Sequence, residues 1–73
     1  MATAGPPSCL EQIGLTAGEI WHTLAAHGPM SLSQLVKRLG KPRDLSMQAL
    51  GWLAREGKIV IEEDRRSRIV SLR

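Results

Sequence analysis

The apolar period of this chain changes at Gly57, and that change limits what it can fold into. Before it, apolar residues recur at spacings of three and four. After it come Ile59, Val60 and Ile61, a polar stretch from Glu62 to Ser67, and then Ile69, Val70 and Leu72. The first pattern belongs to helices half-buried on a core, and the second to a hairpin of β-branched strands with a charged tip. Along the chain, helices therefore come first and a hairpin last. Two strands alone are marginal in water, so the hairpin is expected to lie against the helices with a short third strand from around Pro29 to Ser31.

Three helices are legible upstream. The first carries Ile13, Ala17, Ile20, Trp21, Leu24 and Ala25 in one stripe and ends at Gly28 and Pro29. Its start has two candidates, since Ser8 with Glu11 and Thr16 with Glu19 both have capping-box spacing; the early start is favoured, with a weak point at Gly14. Residues 1–8, with Gly5, Pro6 and Pro7, read as a disordered lead to a domain over 9–73. The second helix opens on Ser31 with Gln34 three residues on, lines Leu32, Leu35, Val36 and Leu39 on one face, and stops at Gly40. A turn containing Pro42 leads to a third helix, beginning near Asp44 or Ser46 and running to Glu56, whose Met47, Leu50, Leu53 and Ala54 should face the first two.

A chain of 73 residues holds one core, and buries only about 60% of its unfolded surface. With one cysteine, Cys9, it has neither an internal disulfide nor a cysteine-based zinc site, so a partner subunit is the remaining staple. No apolar run is long enough to span a bilayer and residues 1–7 lack the basic and apolar blocks of a signal peptide, so the expected location is cytoplasmic. Charge is segregated: before Lys37 there are two carboxylates and no cation, and from Lys37 onward ten Lys and Arg against five carboxylates. That asymmetry suits a polyanion-facing surface in the C-terminal half, although a solvated charged surface would look the same.

Helix, short helix, turn, helix, hairpin is the order of an α+β winged helix-turn-helix. The runs ALGWLAREGKI, Ala49–Ile59, and AGEIWHTLAAHGPMSLSQL, Ala17–Leu35, resemble a small prokaryotic family of stand-alone winged helix-turn-helix proteins of largely uncharacterised function. The resemblance covers about residues 13 to 70. It implies the winged-helix fold and DNA binding or dimerisation; it supplies no catalytic residues and no operator.

Candidate contacts to duplex DNA are Lys37, Arg38, Lys41 and Arg43 around the turn, Ser46, Gln48 and Arg55 on the third helix, and Arg65, Arg66 and Arg68 on the wing. Glu62, Glu63 and Asp64 sit beside the wing arginines and could neutralise them. With Leu50 set at zero on a helical wheel, Arg55 falls at about 140°, Gln48 at about 160°, Trp52 at about 200° and Leu45 at about 220°. Leu45, Ala49 and Trp52 thus form an apolar strip on the outward side, expected either to pair two copies into a homodimer or to lie under the hairpin. Gly51 in this helix costs about 1 kcal/mol unless something approaches closely there.

Nothing in the sequence points to catalysis, a cofactor or a metal. His22 and His27 are five residues apart and so on different faces of one helix, and Ser31 and Ser46 read as caps because no His or acid is arranged to activate them. Cys9 has no cation beside it in sequence and reads as a spectator rather than a reactive thiol. Two readings survive: a DNA-binding module, in the role of a transcriptional regulator, that uses the third helix and wing, and a protein-interaction or homodimerisation module that uses the apolar strip.

Overall fold

The computed structural model describes residues 8–73. Its elements are α1 (Cys9–His27), β1 (Met30–Ser31), α2 (Leu32–Leu39), α3 (Arg43–Arg55), β2 (Ile59–Glu63) and β3 (Arg68–Leu72). The strands form one antiparallel sheet in the order β1-β3-β2, with Met30 opposite Val70 and Ile59 opposite Leu72. The fold is the α+β winged helix-turn-helix expected, three-stranded because the segment after Pro29 supplies β1.

Local chemistry sets the ends of the helices. Ser8 caps α1, its Oγ accepting from the Glu11 N–H at 3.2 Å, so the early start holds and Thr16 lies buried within the helix. Ser8 is therefore the cap of α1 and not the end of a lead; the rest of that segment lies outside the described residues. At α2 both halves of a capping box form: the Gln34 N–H donates to Ser31 Oγ and the Ser31 N–H to Gln34 Oε1. Gly40 closes α2 at φ 66°, in the left-handed region that favours glycine. α3 starts earlier than expected, at Arg43, with Pro42 as its N-cap and no side-chain cap bond. It ends in a Schellman motif: Gly57, at φ 73°, donates to Ala54 O while Lys58 donates to Leu53 O.

Ala17, Ile20 and Leu24 of α1, Leu32 and Leu35 of α2, Ala49, Leu50 and Leu53 of α3, and Ile59 and Val70 of the sheet form the core. The buried arc of α1 runs through Thr16, Ala17, Ile20 and Leu24, and Trp21 and Ala25 lie about 100° and 140° from Ile20, past its edge. Both are exposed, contrary to the stripe read from sequence.

The same shift corrects α3. Its buried residues are Ser46, Ala49, Leu50 and Leu53, an arc centred about 50° from Leu50 rather than on it. Ser46 and Ala49 have no exposed surface, so neither can contact DNA or a partner copy, and Ser46 is not a cap. Ala54, expected in the core, is exposed.

Candidate nucleic-acid interface

With its inner arc against the core, α3 turns Asp44, Gln48, Gly51 and Arg55 to solvent, spaced to lie along one line of the helix. Trp52 is 52% exposed beside them, and Leu45 is half-buried. At the N-terminal end of this face Arg43 and Asp44 are exposed, and the Asp44 carboxylate accepts from the Leu45 N–H at 2.9 Å.

The hairpin does not cover Trp52. The indole instead stands at one wall of an open groove of about 770 Å³, formed with Gln48, Gly51 and Arg55 of α3 and with Leu10, Ile13 and Gly14 of α1. A smaller depression continues from it past Gly18 and Trp21 toward Lys58. Gly14, Gly18 and Gly51 leave it open, since a Cβ built on any of them meets nothing within 4 Å. Leu10 and Trp21, 77% and 41% exposed, project beside it. This groove depends on the register of α1 along α3, which the spacing of Gly14 and Gly18 alone could not reveal.

The cations divide into one that is engaged and several that are free. Lys41 Nζ lies 3.2 Å from Glu19 Oε1, tying the turn before α3 to α1. Lys37, Arg38, Arg43, Arg55, Arg65, Arg66 and Arg68 are exposed, and among the described residues none is in an ion pair. Glu62, Glu63 and Asp64 therefore do not neutralise the wing arginines through direct contact. Asp64 spends its carboxylate on the Arg65 N–H, at 2.8 Å, and closes the tip through its own N–H to Ser67 O at 2.7 Å. Strand register places Glu63 opposite Arg68 without bringing them into an ion pair. Lys37 and Arg38 share a face of α2 with Gln34, beside Met30 of β1.

Cys9, His22 and His27 are exposed, and Trp21 meets His22 edge-on with ring centroids 5.6 Å apart. Among the described residues no group of three or more His, Cys, Asp or Glu could hold a metal ion, and no helix is long and apolar enough to cross a membrane.

A short helix, a glycine-containing turn, an outward helix and a basic two-stranded wing define a winged helix-turn-helix domain. The chain belongs to the family described as winged helix-turn-helix domain (DUF2582), whose model matches residues 9–72. It is 42% identical over 65 residues to the uncharacterized protein MJ1608 of Methanocaldococcus jannaschii, a match covering 85% of this chain and 91% of that one. Among solved structures, the solution NMR structure of protein BT2368 from Bacteroides thetaiotaomicron superposes with a TM-score of 0.74 at 31% identity, over 84% of this chain and 74% of the other.

Proposed function

We propose that this domain binds duplex DNA through its phosphates, without catalysis. The observation that carries this reading is the free state of the cations around α3. Lys37 and Arg38 on α2, Arg43 at the start of α3, and Arg65, Arg66 and Arg68 on the wing are all exposed and without a carboxylate partner. Such side chains can exchange water and counterions for phosphate oxygens with no internal ion pair to break. Lys41 serves a different purpose, holding the turn to Glu19, and is not a primary contact. If these six cations all engage, log K for an arbitrary duplex should fall against log salt with a slope of about −5. Binding that ignores salt, or no binding at low salt, would overturn this reading.

A second reading concerns the groove between α1 and α3. We infer that a second copy of the chain seats on it, making a homodimer through Trp52, with Leu45 half-buried about two turns earlier on α3. The surface carries its own complement, as a two-fold contact requires: Leu10, Trp21 and Trp52 project, while Gly14, Gly18 and Gly51 leave notches. Its lining has both signs, with Arg55 and Glu56 at the end of α3, so a two-fold copy can set carboxylate against guanidinium. Sedimentation over a concentration series tests it; a chain that stays monomeric throughout rejects it.

A further inference from the structure

We infer that the duplex is held without regard to its sequence, because the face of α3 that would read bases is poorly equipped and is hemmed in by α1. This rests on the duplex-binding reading above. Base edges in the major groove are read by donors and acceptors on the N-terminal half of a recognition helix. Here that half offers Arg43, Asp44, Leu45 and Gln48 to the outside.

Gln48 is the one neutral reader among them. Asp44 brings a carboxylate to the point where the helix would pass between two phosphate backbones, and it is exposed with no cation in ion-pair contact. Arg55, the next residue on the line able to pair with a base, lies seven positions beyond Gln48, about 10.5 Å further along the axis at the C-terminal end, with side-chain-less Gly51 between them. The surroundings narrow access further. Gln48, Gly51 and Arg55 form one wall of the groove whose other wall is Leu10, Ile13 and Gly14, so this part of α3 is the side of a cleft and not a free ridge. Six of the free cations, by contrast, lie on α2, at the first residue of α3 and on the wing, on the positions expected to meet backbone, and Arg55 alone stands at the far end of α3. The fold thus keeps the phosphate contacts of a winged helix and gives up most of its readout, which suits sequence-independent occupancy of DNA better than operator-directed regulation.

The test measures fluorescence anisotropy with the whole chain on short duplexes of equal length, one A·T-rich, one G·C-rich and one mixed, for the wild type and for Gln48→Ala. Sequence-independent holding gives dissociation constants within about threefold of one another, where a specific reader separates sites by about a thousandfold or more. Gln48→Ala should shift all three equally and by less than about twofold, since a lost base contact alters one sequence and not the rest. One duplex preferred strongly, with the preference lost in Gln48→Ala, would overturn the inference and leave duplex binding standing. Failure to bind any of the three at low salt would overturn both.

Discussion

The base and the tip of the hairpin are the same two strands under different physics. At the base, Ile59 and Val70 are buried in the core and the Arg73 N–H donates to Lys58 O, so the strands complete the domain. At the tip, every residue from Glu62 to Arg68 is exposed, and what holds them is the ladder, the Asp64 turn and water. α3 divides in the same way across its axis, with Ser46, Ala49, Leu50 and Leu53 inward and Asp44, Gln48, Gly51 and Arg55 outward. One surface of each element carries stability and the other carries charge. The two can therefore be changed separately, and substitutions that fail to separate them would break the comparison.

The largest effect should come from the inner arc. Leu50 is 1% exposed among Leu and Ile side chains from all three helices, and Leu50→Ala should cost about 2 to 5 kcal/mol of unfolding free energy. That is a large part of what holds so small a domain. Chemical denaturation followed by circular dichroism measures it, and a loss well below about 1 kcal/mol would mean that α3 packs with a different face.

Ser46 sharpens the comparison in the opposite direction. Its hydroxyl is fully buried in α3 with no hydrogen-bond partner, so Ser46→Ala removes an unsatisfied group and adds a better helix former. Stability should rise by about 0.5 to 1 kcal/mol. A clear loss in the same denaturation experiment would show that the hydroxyl has a partner.

Trp52 sits at the boundary between the two surfaces. Being 52% exposed on the groove wall, it should tolerate Trp52→Glu with a stability change within about 0.5 kcal/mol, while a buried charge at a self-facing contact would dissociate the proposed dimer. Sedimentation and circular dichroism on the same samples distinguish the outcomes: a folded monomer supports the groove contact, and an unfolded chain would mean that the ring is needed within the monomer.

Much of the fold was legible because its signals are local. Ser8, Ser31 and Gln34 act within one turn of their own positions, and Gly28, Gly40 and Gly57 adopt positive φ where a helix has to stop. Periodicity gave the faces approximately and not the centre of each arc. Which side of α3 is deepest depends on where α1 crosses it, and this decides between Ala49, about 100° from Leu50 on one side, and Ala54, about 40° on the other; Ser46, also about 40° from Leu50, already falls within the inner arc on the wheel and reads as outward only by its polarity. The same holds for Trp21: a large apolar side chain about 100° from Ile20 is buried only if a neighbour reaches that far round, and it is 41% exposed.

The candidate site was legible in composition and less so in arrangement. Basic residues after Lys37 can be counted in the chain, but whether Glu62, Glu63 and Asp64 engage the wing arginines depends on side-chain direction at an exposed turn. The pairing of Lys41 with Glu19 joins residues far apart in sequence, so the chain by itself gives no sign that this cation has a carboxylate beside it.

The central claim, that exposed and unpaired wing cations hold phosphate while the hairpin base holds the fold, is tested most directly by replacing Arg65, Arg66 and Arg68 together with Ala and measuring binding to one arbitrary duplex across a salt series. Three lost phosphate contacts should make the slope of log K against log salt shallower by about 2.7, with thermal stability unchanged because all three side chains are exposed. A slope equal to that of the wild type would contradict the claim and leave the wing as a structural hairpin with a solvated tip.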